Sequence, residues 1–211
     1  MIPDHDKPKL LGNPAAKAAR LLQLFDPNLK PLTNFVEDLR KEIGPEASIP
    51  FFDPWDGGIA AEILFLLEAP GAKAVGSGFI SRNNPDETAK NFFKLNVETG
   101  IPRGRTITWN IVPWYIGSGT RIRPAAKKDI DAGLTTLNRL FSLLPKLRGV
   151  VLIGRKAERA EEHCLEMQPN LKIFKSPHPS PMFINRSPNN RSKILTVFRD
   201  VSTFLGAATK S

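Results

Sequence analysis

The sequence predicts an α/β fold: a three-layer α/β/α sandwich around a four-stranded parallel sheet, with additional helices at the N-terminus. Two observations carry this. Apolar runs at residues 61–67, 106–110, 150–153 and 171–175 are short and bounded by turn residues, as buried strands are. Amphipathic helical segments lie between them, which gives a parallel sheet covered on both faces. At 211 residues the chain is long enough to bury one substantial core, so a single domain spanning 1–211 is expected.

Residues 1–50 read as an accessory helical segment. Ala15, Ala19, Leu22 and Phe25 share one helical face, as do Leu32, Phe35, Val36, Leu39 and Ile43, with Pro31 at a start and Gly44 at a stop. Residues 49–58 are too punctuated by proline and glycine for a regular element and read as a connector. After the first strand, Gly71, Gly76 and Gly78 suggest a loop of flexible backbone leading to Phe79. Asn84-Pro85-Asp86-Glu87 reads as a capping box with proline at the first helical position, and Gly100 closes that helix. Ile130, Leu134, Leu137, Phe141 and Leu144 form the next apolar stripe. Ala157, Ala160, Cys164 and Met167 form another, and Ile194, Phe198, Val201 and Leu205 the last.

Composition narrows the function. Hydrophobic content of 41% with 24% charged residues is that of an ordinary soluble domain. No apolar run is long enough for a membrane helix, and the N-terminus lacks the layout of a signal peptide, so a cytoplasmic protein is expected. Cys164 is the only cysteine, which excludes an internal disulfide, a cysteine-held zinc site and an iron–sulfur cluster. On an apolar stripe it reads as a core residue rather than a nucleophile. His5 falls in a frayed terminus and His163 on a charged helix, and no acidic or histidine pair has metal spacing. No cofactor is expected. The net charge of +9 favours a polyanionic partner, of which nucleic acid is the commonest.

In an open parallel sheet, ligands bind at the carboxyl ends of the strands. Here those ends carry Glu68, Asn110, Gly154-Arg155, and His178 within Ser176-Pro177-His178-Pro179-Ser180-Pro181. A carboxylate, an amide, a cation and an imidazole therefore converge. Pro70, Pro177, Pro179 and Pro181 stiffen the two turns, so little entropy is lost when a ligand binds. Neither G-x-G-x-x-G nor a Walker loop is present, which excludes those nucleotide sites.

The turns Leu67-Glu68-Ala69-Pro70-Gly71 and His178-Pro179-Ser180-Pro181, in that order, resemble the two hallmark motifs of the uracil-DNA glycosylase superfamily. The similarity extends to Phe79 and Asn110 and covers roughly residues 50 to 205. The resemblance implies a monofunctional glycosylase, monomeric, acting on uracil in single- or double-stranded DNA and leaving an abasic site. Phe79 would stack on the flipped uracil and Asn110 would read its Watson–Crick edge. His178 would donate to the uracil O2, and Glu68 would position or deprotonate the attacking water. Pro179 and Ser180 would grip phosphates, with Met182 or Phe183 as the wedge in the vacated stack. Arg82, Arg121, Arg123, Lys127, Arg155, Lys175, Arg186 and Arg191 would form a DNA-facing rim.

The chain departs from the family pattern in three ways. Branches with the Glu-Ala-Pro-Gly turn commonly carry a cysteine-bound iron–sulfur cluster, for which one cysteine does not suffice. Ala69 and Gly71, in the base-binding turn, stand where the best-known branch has an Asp and a Tyr that blocks the thymine methyl. Leu67 replaces the usual first glycine. Thymine exclusion would then fall to residues 72–77, and deaminated purines enter as alternative lesions. The rival readings are a non-catalytic binder of single-stranded or damaged DNA and an enzyme acting on free nucleosides.

Overall fold

The computed structural model describes residues 6–44, 46–119 and 121–207; His5 lies outside them. In chain order the main elements are α1 (Pro14–Leu21), α2 (Lys30–Ile43), β1 (Phe51–Phe52), β2 (Ile63–Leu67), α3 (Ala72–Ser77), β3 (Phe79–Ile80) and α4 (Glu87–Glu98). They continue with β4 (Thr106–Asn110), β5 (Gly117–Ser118), β6 (Arg121–Ile122), α5 (Lys127–Ser142), β7 (Gly149–Ile153), α6 (Glu161–Met167), β8 (Lys172–Ser176), α7 (Pro181–Ile184) and α8 (Pro188–Ala207).

The central sheet has four parallel strands in the order β4-β2-β7-β8. Its strands alternate with period two between the cores on its two faces. Leu64, Leu66, Ile107, Trp109, Val150 and Leu152 join one core with α2, α5 and α6. Ile63, Phe65, Val151 and Ile153 join the other with α4 and α8. Two small additions flank this sheet: β1 pairs in parallel with β3, and β5 pairs antiparallel with β6.

Helix α5 crosses very close to the end of β4. A Cβ on Gly133 would sit 1.9 Å from the Ile111 carbonyl oxygen, so only glycine permits this approach. The contact sets where the chain leaves the central sheet after Asn110.

Several local expectations are corrected. The 71–78 stretch forms the short helix α3 rather than an open loop. Helix α4 is capped by Asp86, whose carboxylate accepts from the Ala89 N–H (2.8 Å), and it begins at Glu87. Asn84 is instead buried and donates to the Phe79 carbonyl (2.9 Å). The 49–58 connector contains β1, which exists because Phe51 and Phe52 pair with residues far along the chain. Met167 and Ile43 are exposed, whereas the rest of their stripes is buried. His163 is half-buried and shares a hydrogen bond with the Asn138 Oδ1 (2.7 Å). Cys164 is fully buried, and burial pushes its thiol up to about 12, so it is an inert core residue.

The first N-terminal face is inverted. Leu22 is 85% and Phe25 59% exposed, while Arg20 of α1 is buried. Arg20 bonds to Asp53 and to the Asn83 side chain (3.1 Å). Arg103 joins the same cluster through Asp6 (2.8 Å), Asp53 (2.6 Å) and Asp56 (2.8 Å). Ser81 also donates to Asp53. Burial alone would raise the Asp53 carboxyl, but Arg103 and Arg20 outweigh it and hold it below its ordinary value. Asp56, with less help, is pushed up by burial.

Candidate active site

The strand register gathers the four carboxyl ends at one edge. Leu67 lies opposite Asn110, and Ile153 opposite Ser176. Beyond the strands the pairing continues: the Val112 N–H donates to the Glu68 carbonyl (2.9 Å), and the Gly154 N–H to the Ser176 carbonyl (2.8 Å). Gly154 has φ +81°, and a Cβ there would lie 3.4 Å from the Cβ of His178. A side chain at 154 would strain the backbone and come into contact with His178.

Glu68 is half-buried and held from one side. Its Oε1 accepts from the Ala125 N–H at 2.6 Å, and the Ala125 carbonyl accepts from Lys156 Nζ at 2.6 Å. No hydrogen bond to Oε2 exists among the described residues, so that oxygen is available to a water.

His178 is held in place by its neighbours. The Pro179 carbonyl accepts from Asn91 Nδ2 of α4 (3.0 Å), and the Ser176 hydroxyl donates to the Pro177 carbonyl (3.1 Å). Burial lowers the imidazole pKa below its ordinary value, while the Glu68 and Asp86 carboxylates partly restore it. The ring is therefore neutral at neutral pH and can donate one N–H.

Asn110 is 3% exposed, and its Nδ2 has no hydrogen-bond partner among the described residues. A buried amide donor left unpaired costs about 1–3 kcal/mol, which a ligand carbonyl would relieve. Together they offer a carboxylate oxygen for a water, a neutral imidazole donor and a buried amide donor that a polar ligand would satisfy.

The other expected site residues are distributed as follows. Ala69 is half-buried, and Gly71 is exposed at the N-cap of α3. Phe79 lies in β3 with no exposed surface. Ser180 caps α7, its hydroxyl oxygen accepting from the Phe183 N–H (3.3 Å), and Pro179 is buried. Met182 projects, 84% exposed, whereas Phe183 packs against the core shared by α4 and α8. Arg155 and Arg186 are exposed, with no side-chain partner among the described residues.

The rim needs correction at Arg82. It is buried, donates to the Thr106 hydroxyl (3.0 Å), and burial pushes its pKa down to about 10. Arg123, Lys127, Lys175 and Arg191 are each committed to an acidic partner: Asp129, Asp131, Glu161 and Glu98. Sequence reading missed Asp86, Asn91 and Lys156. Asp86 carried a signal as a capping residue; the other two reach the site only through the fold.

The sequence model of the uracil DNA glycosylase superfamily matches residues 54–202. Among solved structures, wild-type SMUG2 of Pedobacter heparinus aligns over 86% of this chain and 85% of its own, with TM-score 0.53 and 11% identity. A mimivirus uracil-DNA glycosylase aligns over 86% of this chain and 79% of its own, with TM-score 0.44 and 16% identity. No curated protein matches the sequence.

Proposed function

This chain belongs to the uracil DNA glycosylase superfamily, and from that premise we propose that it excises uracil from DNA by hydrolysing the N-glycosidic bond. The observation that carries the reading is the unpaired, buried Nδ2 of Asn110 beside Glu68 and a neutral His178. Uracil presents the O4 acceptor and the N3–H donor side by side, and one carboxamide satisfies both. Phe79 takes the stacking role, which requires the wall over its ring to open by the thickness of a base. Met182 takes the wedge role, because Phe183 is engaged in the core.

As the C1′–N1 bond breaks, its electron pair passes to the pyrimidine and negative charge grows at O2. The neutral His178 N–H stabilises that charge by hydrogen bonding in a site with little water. The sugar becomes oxocarbenium-like, and the Glu68 anion favours it electrostatically. A water held at the free Glu68 Oε2 adds to C1′ and gives up its proton to the carboxylate. The base departs as its anion and takes up a proton, Glu68 gives up the one it received, and the products are an abasic site and free uracil.

Hypoxanthine is a second substrate reading. Its O6 and N1–H repeat the acceptor–donor pair of uracil, and a Cβ at Gly71 would meet nothing within 4 Å, which leaves room at that turn.

The test is alkaline cleavage of labelled oligonucleotides carrying one uracil or one hypoxanthine. Wild type should cleave at the uracil, and Glu68→Gln and His178→Ala should each slow single-turnover excision by about 10²-fold or more. Intact strands with both lesions would overturn the reading.

A further inference from the structure

The chain makes one excursion at the site that the proposed chemistry does not use. Residues 113–119 and 121–124 lie between two anchors at Glu68: the Val112 N–H binds its backbone carbonyl, and the Ala125 N–H binds its carboxylate. Between these anchors stands the β5–β6 hairpin, with an open groove of about 530 Å³ at its base. That volume lies within the range of about 300–1,000 Å³ found for small-ligand sites, enough for a base with its phosphate.

The groove has two chemical components. The first is aromatic. Trp114 and Tyr115 line it, both half-buried. Tyr115 is pinned: its hydroxyl donates to the Gly119 carbonyl (2.8 Å), its N–H donates to the Ser48 carbonyl (3.0 Å), and its ring lies against Gly117. An aromatic ring already fixed loses little entropy on stacking. The second component is cationic. Arg123 is clamped on both Asp129 oxygens (2.6 and 3.0 Å), which fixes the base of the hairpin. Arg121 is exposed, and its side chain has no partner among the described residues. Its charge is therefore free for an anion from outside.

We propose that this groove is a second nucleic-acid subsite, which takes the unpaired strand flanking the nucleotide held at Glu68, with Tyr115 and Trp114 stacking on a base and Arg121 on a phosphate. The choice of nucleic acid rests on the glycosylase reading and on continuity with its site. The choice of an unpaired strand rests on the aromatic rings, which find a free base face only where bases are unpaired.

The test is fluorescence anisotropy with a labelled, uracil-free oligonucleotide, single-stranded or as its duplex, across a salt series. Arg121→Ala should weaken single-strand binding roughly three- to tenfold and flatten the slope of log K against log salt by about 0.7. Tyr115→Leu should weaken it by roughly fivefold or more. Lys146→Ala removes an exposed cation from the opposite end of the sheet, just before β7, and should change neither quantity. Equal effects of Arg121→Ala and Lys146→Ala would overturn the subsite. So would an Arg121→Ala loss as large on duplex as on single strand. Because the probe contains no lesion, a failure of excision leaves this result readable on its own, and active excision without an Arg121 effect removes only the subsite.

Discussion

At the scale of single residues, the proposed chemistry turns on keeping the imidazole of His178 uncharged near two carboxylates. Burial is the largest influence on His178 and lowers its pKa; Glu68 and Asp86 pull in the other direction and lose. The sign has two consequences. Between the lowered native pKa and about 6.5, the unfolded chain binds a proton that the native protein refuses, so stability falls as pH drops through that window. The same protonation removes the neutral donor and adds a charge the site does not accommodate. In an NMR titration, His178 should therefore reach its midpoint below 6.5. Glu68→Gln removes one of the anions that favour the charged ring, so the midpoint should drop further. An unchanged or raised midpoint in that variant would show that Glu68 does not act on His178 through space.

At the scale of elements, the site depends on how closely α5 approaches the end of β4. Gly133→Ala would place a methyl group 1.9 Å from the Ile111 carbonyl oxygen, and the helix must move to admit it. The expected cost is about 1–3 kcal/mol in urea unfolding. Excision should fall by more than stability alone explains, because the start of α5 follows directly on Ala125, which holds Glu68. A variant with wild-type stability would mean that α5 is free to slide. The central strands were legible in the sequence because β2, β4 and β7 are apolar runs buried on both faces. The short elements were not. β1 has two residues between Pro50 and Pro54, and its partner β3 is remote in sequence. α3 hides among three glycines. For the site, Glu68, Asn110 and His178 could be found because each sits at the carboxyl end of a strand or within two residues beyond it. Lys156 could not, since its bond to the Ala125 carbonyl joins residues 31 apart in sequence.

At the scale of the whole molecule, the N-terminal segment and the net charge belong to one argument. The buried cluster holds Arg20, Arg82 and Arg103 with Asp6, Asp53 and Asp56, three cations and three anions, so it is balanced within itself. The surplus of +9 therefore stands entirely on the other residues, where it can attract a polyanion. Asp6 and Arg20 precede the span matched by the family, yet they complete this cluster, and Arg20 also fixes Asn83 in the loop that leads to Asp86 beside His178. The segment is thus a structural brace: α2 docks through the apolar stripe expected of it, whereas α1 docks through Arg20 and its ions, where apolar packing had been expected. Arg20→Leu leaves Asp53 buried with one guanidinium fewer. Breaking a buried pair from one side costs about 3–5 kcal/mol. Arg139→Ala breaks exposed pairs with Glu42 and Asp38 and a distant approach to the Phe35 ring, and should cost under about 1 kcal/mol. Urea unfolding of the two variants separates the cases. Equal, small losses would mean that α1 is held by its few apolar contacts, and the cluster would then have no bearing on the loop that carries Asp86.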